Sequence, residues 1–423
     1  MIALATLLLI VAATLGIPLF VVLGAGGLIA TASEHLDSAV LIIEMNRLAT
    51  SPNLIAIPLF TLAGVTLAAG GAPQRLIRVF NALFGWLPGG LAVVALTSCA
   101  FYTAFSGASG VTILALGGLL YPMLITVGYR ERFTLGLLTS SGAIGLLFPP
   151  SLPILLYGIV ASVNIDKLFL AGLVPGLLLL TILSAYSIYA GAHHRLLRHP
   201  FHWSTLRGAL REGVWDLLMP VGVVAGIVSG TVTASEAAAC TAAYVLLLDT
   251  LIHRNITTLQ QFYRILRDTC VLVGSILIIL GVAMGLTNLL VDAQIPMHLL
   301  SKIETHIDSP LHFLLLLNLF LLAVGFMMDI FSAIVVVVPL ILPLAQRYGI
   351  DPVHLGIIFL ANLEIGYIHP PIGINLFLAS QRFNKPILQV FIATLPFLLL
   401  MLVWLMIVTY VPALTLWWQH APR

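Results

Sequence analysis

The stretch Leu363-Glu364-Ile365-Gly366-Tyr367-Ile368-His369-Pro370-Pro371-Ile372-Gly373-Ile374-Asn375 puts two consecutive prolines inside an apolar run. A helix cannot continue through them, because each proline lacks an N–H and its ring collides with the carbonyl four residues back. For Pro370 that carbonyl belongs to Gly366. A second break lies upstream in Ser140-Ser141-Gly142-Ala143-Ile144-Gly145-Leu146-Leu147-Phe148-Pro149-Pro150, where Pro149 faces the carbonyl of Gly145. Unpaired carbonyls at membrane depth are costly unless something coordinates them, and lipid cannot. A desolvated Na⁺ can, and glycine lets it approach with no Cβ in the way. The competing reading is a plain proline kink repaired by Ser/Thr side chains or water. Two breaks in equivalent places favour a binding site.

The equivalence extends far beyond the prolines. At an offset of 221 residues Gly64 meets Gly285, Thr66 meets Thr287, Pro122 meets Pro343, Gly128 meets Gly349, and Pro149-Pro150 meets Pro370-Pro371. Chance matches among apolar residues would not keep helix breakers in register, so residues 1–210 and 211–423 read as two copies of one unit. Charges suggest that the copies are inverted. Segment 31–53 carries Glu34, Asp37 and Glu44 against Arg47, whereas 252–270 carries Arg254, Arg264 and Arg267 against Asp268. Likewise 72–87 carries Arg75 and Arg78 alone, while 292–310 carries Asp292, Glu304 and Asp308 against Lys302. Because Lys and Arg gather on cytoplasmic loops, equivalent loops lie on opposite sides, and the basic join 193–212 is expected in the cytoplasm.

Composition sets the environment. Of 423 residues, 60% are hydrophobic and 8% charged, far below the charge of a soluble domain. The chain reads as an all-α polytopic membrane protein. Ten apolar stretches, at about 1–30, 54–71, 89–127, 133–163, 167–192, 214–252, 270–291, 311–346, 353–380 and 386–419, are joined by short loops. Ten to fourteen helical elements are expected, since a crossing takes about 20 residues. The first run reads as a membrane segment and not a removable signal. A net charge of +2 gives nucleic acid nothing to bind. Cys99, Cys240 and Cys270 read as small core residues. No catalytic motif appears, which argues against an enzyme, including an intramembrane one, and no soluble domain of its own remains in the chain.

Each break has a partner about 40 residues earlier. In the first half it is Tyr102-Thr103-Ala104-Phe105-Ser106-Gly107-Ala108-Ser109-Gly110, and in the second it is Gly325-Phe326-Met327-Met328-Asp329-Ile330-Phe331-Ser332. Both read as tips of re-entrant helical hairpins; a close helix-packing face is the rival reading. Among the few ionisable residues inside apolar runs, Glu236, Asp329, Glu364 and His369 stand out. Buried acids at such depth are functional candidates by default, although Glu236 also suits a helix N-cap. Trp417 and Trp418 suit an interfacial anchor.

The runs Phe105–Gly110 (FSGASG), Gly145–Tyr157 (GLLFPPSLPILLY), Thr231–Ala239 (TVTASEAAA), Gly325–Asp329 and Leu363–Asn375 resemble the large membrane subunit of tripartite ATP-independent periplasmic (TRAP) transporters, over essentially the whole chain. The resemblance implies a bacterial or archaeal inner-membrane protein. It would work with a small four-helix membrane subunit and a periplasmic substrate-binding protein, taking up organic acids by Na⁺ symport through an elevator motion. It implies no cofactor beyond the coupling Na⁺. Two Na⁺ sites carry over, the first onto Ser106, Gly145, Phe148 and Pro150, the second onto Gly325, Gly366, His369 and Ile372. The family commonly has Thr where His369 stands, and a bulkier residue where Gly110 stands; both departures bear on substrate choice.

The expected function is Na⁺-coupled uptake of a C4-dicarboxylate, sugar acid or related carboxylate. Half-helix N-termini would face the carboxylate, with Ser109, Asn362 and Asn375 as hydrogen-bonding candidates. The alternative is a stand-alone Na⁺/dicarboxylate symporter or Na⁺/H⁺ exchanger of related hairpin architecture.

Overall fold

The computed structural model describes residues 17–33, 37–193, 201–294, 309–369 and 373–419, with positions 8, 9, 11, 12 and 307. Among these residues all regular structure is helical. The first four helices are α1 (Leu19–Ser33), α2 (Ala39–Ala49), α3 (Ala56–Ala69) and α4 (Ala72–Phe84). Next come α5 (Gly90–Ser106), α6 (Ser109–Val127), α7 (Glu131–Ser141), α8 (Leu152–Val160) and α9 (Ile165–His193). They are followed by α10 (Trp203–Val228), α11 (Ala234–Leu247) and α12 (Leu259–Asp292). The last five are α13 (Pro310–Met327), α14 (Ile330–Arg347), α15 (Pro352–Gly366), α16 (Ile374–Phe383) and α17 (Ile387–Tyr410).

Seven described helices are long and apolar enough to cross a membrane, or up to nine spans if each of two bent pairs counts as one. The seventeen α-helices among the described residues are more than the sequence suggests, for two reasons. Breaks split single apolar runs, and segments 31–53 and 72–87, expected as loops, contain α2 and α4. Residues 203–212 likewise belong to α10 and not to a loop. Of the three cysteines only Cys99 is buried; Cys240 and Cys270 are exposed on helix faces, where a small apolar side chain suits lipid as well as core.

Packing divides the helices into two groups. Helices α1–α4 and α10–α12 pack chiefly on one another, and α5–α9 and α13–α17 form the second group. The groups meet where α4 leads into α5, where α3 touches α5 and α8, where α12 touches α14, and where α9 touches α10.

In the first group the chain turns 73° between α3 and α4. The turn is made by Gly71, whose φ of +73° favours glycine, followed by Pro73 in the first turn of α4. Arg75 fixes the corner. Its guanidinium donates from Nε to Asp216 Oδ2 at 2.6 Å, from Nη2 to Asp216 Oδ1 at 2.8 Å, and from Nη1 to the Gly70 carbonyl at 2.8 Å. Asn255 donates to the same carbonyl and to Asp249. A planar guanidinium matched to a carboxylate is the geometry in which a buried pair is worth most, and loss of either partner would strand a buried charge.

The second group is knitted by large side chains. Trp404 is fully buried on α17 and its indole N–H donates to the Pro175 carbonyl of α9 at 3.0 Å. Phe133, Tyr186 and Phe397 join α7, α9 and α17 with ring centroids 5.3–6.0 Å apart. Tyr157 of α8 reaches the Pro352 carbonyl at the start of α15 at 2.8 Å. At the C-terminal end Trp417 donates to the Leu170 carbonyl at 3.1 Å, which ties the tryptophan pair to α9.

Candidate functional site

The first break has the form its prolines demand. Helix α7 stops at Ser141, Ile144–Leu147 makes one 3₁₀ turn, Phe148 is extended, and α8 restarts at Leu152 after a 45° bend. The Gly145 carbonyl is not unpaired, as expected from the sequence: it accepts the Phe148 N–H at 3.1 Å. The Gly366 carbonyl likewise accepts the His369 N–H at 3.2 Å. Tightening to an i→i+3 bond supplies the donor that proline removed, and each carbonyl retains its second lone pair. The Phe148 carbonyl accepts from Ser151 N at 3.0 Å. Pro370, Pro371 and Ile372 lie outside the described residues, so the second set is placed only at Gly325, Gly366 and His369.

Hairpin and break are packed backbone to backbone. A Cβ on Gly145 would lie 2.2 Å from the Ala100 carbonyl oxygen and 2.6 Å from the Ala104 nitrogen of α5. A Cβ on Gly366 would lie 2.5 Å from the Gly325 carbonyl carbon of α13. Ala104 and Gly325 are separated by the same 221 residues as Gly145 and Gly366, so equivalent positions touch in both halves. Gly107 turns the first hairpin tip at φ +65° and lies against Leu152, the first residue of α8 after the break. In the second half His369 stacks on Phe326, with ring centroids 6.1 Å apart.

Two residues that the sequence did not single out tie tip to break. Thr103 donates to the Gly142 carbonyl at 2.8 Å and lies 2.6 Å from the Thr112 hydroxyl on the opposite arm. Tyr367 accepts the Ile330 N–H at 2.8 Å, while its own carbonyl accepts from Asn375 N at 3.0 Å. Thr103 stands within the small-residue tip run and Tyr367 directly follows Gly366. Their proximity to the glycines is the only signal the sequence offers for either.

The three substrate-facing candidates separate. Ser109 and Asn375 meet: the Ser109 hydroxyl donates to Asn375 Oδ1 at 2.9 Å, across 266 residues of chain. Ser109 opens α6 and Asn375 lies in the first turn of α16, and no side chain caps either helix start. Asn375 is fully buried, and its Nδ2 has no hydrogen-bond partner among the described residues. Asn362, in contrast, donates to Asn318 Oδ1 at 2.6 Å and to the Ile358 carbonyl at 2.8 Å. Asn318 continues to Thr409 at 3.1 Å. These bonds draw Asn362 into a cross-link among α13, α15 and α17 instead of placing it with Ser109.

The acids separate too. Glu236 is exposed, not buried: its carboxylate accepts from Thr233 N at 2.8 Å and Thr233 Oγ1 at 2.9 Å, completing a capping box at the start of α11. Asp329 is only half-buried and caps α14, accepting from Phe331 N at 3.0 Å and Ser332 N at 3.1 Å, with a further short bond from the Ser332 hydroxyl. Of these three acids only Glu364 is fully buried, and neither of its carboxylate oxygens has a hydrogen-bond partner among the described residues. Gly110 lies against Leu378: a Cβ there would approach its Cδ1 to 2.4 Å, so the glycine admits a neighbouring helix.

Residues 2–414 match the family model described as "Tripartite ATP-independent periplasmic transporter, DctM component". The chain is 37% identical over 366 residues to the C4-dicarboxylate TRAP transporter large permease protein DctM of Pseudomonas aeruginosa, covering 86% of this chain and 85% of that one. It is 36% identical over 363 residues to the isethionate TRAP transporter permease protein DctMQ of Oleidesulfovibrio alaskensis, covering 85% of this chain and 57% of that longer one. Its fold is similar to the crystal structure of the Alcanivorax borkumensis YdaH transporter, with a TM-score of 0.58 at 13% identity over 84% of this chain and 86% of that one. With both ends of the two-break plan inside the matched span, the chain belongs to the DctM family, the large permease component of TRAP transporters, and is a multi-pass membrane transport protein, not an enzyme.

Proposed function

We propose that this permease takes up a small organic acid across a bacterial or archaeal inner membrane by Na⁺ symport. The observation that carries the reading is the junction of Ser109 and Asn375. Two helix N-termini uncapped by side chains and a buried Asn375 Nδ2 with no partner among the described residues offer N–H donors to an acceptor. A carboxylate supplies that acceptor, and the helix dipoles favour its charge. The two relatives are named for different cargoes, isethionate and C4-dicarboxylate, so kinship does not single out one anion for this chain.

The cation would rest at the two breaks. Gly145, Phe148 and Pro150 would supply carbonyl oxygens and Ser106 its hydroxyl, whose contacts with Ala108 N and O are long at 3.5 Å each. Gly325, Gly366 and His369 offer the second set. These are hard oxygen donors, the type that suits an alkali cation, and a bound cation would neutralise the anion nearby.

The equal spacing of the Ala104–Gly145 and Gly325–Gly366 contacts supports descent from one duplicated unit with halves 1–210 and 211–423 in inverted orientation. The division into two packing groups supports an elevator-type motion, with α5–α9 and α13–α17 sliding against α1–α4 and α10–α12. A small four-helix membrane subunit and a periplasmic binding protein would complete the transporter. In proteoliposomes with those partners, uptake of the organic acid delivered by the binding protein should disappear when choline replaces Na⁺. Persistent uptake would refute the coupling. Asn375→Leu should lower uptake about tenfold or more, the effect of losing one buried hydrogen bond to a charged group.

A further inference from the structure

The two hairpin tips meet the other helix group differently. Gly64, within α3, lies against the first tip: a Cβ there would approach the Phe105 carbonyl oxygen to 2.2 Å and the Ser106 Cα to 3.5 Å. Phe105 is 3% exposed and Ser106 is half-buried. Gly285 of α12 and Phe326 and Met327 of α13 stand 221 residues after Gly64, Phe105 and Ser106. Yet the atoms nearest a Cβ on Gly285 all belong to Leu41 of α2, with Cδ2 at 2.7 Å and Cα at 3.2 Å. The second tip lies open, with Met327 70% exposed. The arms differ in the same sense. Helix α3 touches α5, the arm that enters the first tip, whereas α12 touches α14, the arm that leaves the second.

We propose that Gly285 is a second dock, which receives the tip Phe326–Met327 by main-chain contact when the first tip leaves Gly64. Two copies of one unit in opposite orientation have two arrangements, related by exchanging the parts that the halves play. Here the first half has its tip docked and the second has its tip free. Exchanging them brings the Phe326 carbonyl onto Gly285 as the Phe105 carbonyl lies on Gly64. Leu41 holds the place of the second tip, and its side chain swings out as the tip arrives. A Cβ facing a leucine side chain is relieved by rotation of that side chain, whereas one facing a carbonyl of main chain is not, so a docked tip requires glycine and Leu41 does not. Packed interfaces switch between discrete arrangements and do not deform continuously, and paired glycines supply two such arrangements. The second dock rests on the inverted halves and sliding groups proposed above, and it names the contact at which the slide ends.

The test uses the full chain in lipid nanodiscs with the exposed Cys240 and Cys270 changed to Ser; Cys99 is buried. Cysteines go one helical turn before each glycine, at Thr61 and at its equivalent Val282. o-Phenylenedimaleimide should join T61C to S106C quickly, and V282C to M327C on longer incubation, because an irreversible link accumulates a minor state. G64A sets a Cβ against the Phe105 carbonyl, so it should lower the first product and raise the second, changing their ratio about tenfold. G285A should lower the second product about tenfold and spare the first. If G64A is not monodisperse, L41A biases the same exchange by emptying the space over Gly285, and should raise the second product.

A protein that joins T61C to S106C but never V282C to M327C, with G64A or L41A present, would overturn the proposal. So would an undiminished second product in chains already linked at the first tip, since the tips would then not dock in turn. Linking needs neither Na⁺ nor cargo, so a failure of Na⁺ coupling leaves the docks standing. A T61C–S106C link that stops uptake, with V282C and M327C never joined, would keep the sliding groups and refute Gly285 alone.

Discussion

In the first hairpin-and-break unit Gly145 lies against the α5 backbone at Ala100 and Ala104; in the second, Gly366 lies against Gly325 of α13. The backbone approach is shared, and the side chains that hold it are not. Thr103 bridges arm, opposite arm and break in the first unit, where the second has Val324, a residue with no hydroxyl. The second unit instead ties tip to break through the Tyr367 hydroxyl, and Tyr367 corresponds to Leu146 of the first. Asp329 caps the second tip with its side chain, whereas α6 starts without a side-chain cap. What the two units preserve is therefore the close approach of the main chain at Gly145 and Gly366. Polar ties were solved separately in each.

The comparison breaks first at the glycines. Gly145→Ala and Gly366→Ala should each reduce uptake about 100-fold, because a Cβ meets main-chain atoms that cannot rotate away, and overpacking of 1–3 kcal/mol falls on the site itself. Uptake assays on membranes with matched amounts of protein check this; full activity in one variant alone would show that the two approaches are not equivalent. The unlike ties come next. Tyr367→Phe leaves the Ile330 N–H without its acceptor, and Thr103→Val removes the donor to the Gly142 carbonyl and leaves the Thr112 hydroxyl only its long contact with the Ala108 carbonyl at 3.4 Å. Each should cost about 1–3 kcal/mol of stability, read as a lowered Tm of purified protein, and neither loss should depend on the other unit. The double variant should therefore show additive losses, and strong coupling would contradict two independent solutions.

The smallest effects separate capping acids from transport acids. Asp329→Asn keeps an N-cap acceptor and should change stability by a few tenths of a kcal/mol, whereas Asp329→Ala should cost about 1 kcal/mol. Glu236→Ala should cost about as much at its exposed capping box. Thermal unfolding of the three variants checks the order. Abolished uptake in a stably folded Asp329→Asn protein would show that Asp329 does more than cap α14.

Both hairpin tips and the first break are legible in the sequence because glycine and proline act locally. A missing N–H or Cβ changes the backbone at its own position, whatever surrounds it. The same local logic extends to Glu236, whose capping role follows from Thr233 three residues earlier. It fails for Asn362, which looks like Asn375 in sequence but faces Asn318 and Thr409. It also fails for segment 72–87, where charge suggests a loop and burial of Leu76, Ile77 and Val79 makes a helix.

By itself the sequence determined that this chain lives in lipid, that its apolar runs are broken near residues 145 and 366, and that the breaks recur at one spacing. These follow from composition and from backbone chemistry that needs no neighbour. Only the tertiary structure decided that Ser109 meets Asn375, that Arg75 is neutralised by Asp216, and that Gly110 makes room for Leu378. Each of those depends on which faces of distant helices touch, and in a chain whose helices are apolar on nearly every side, periodicity does not say which face turns inward.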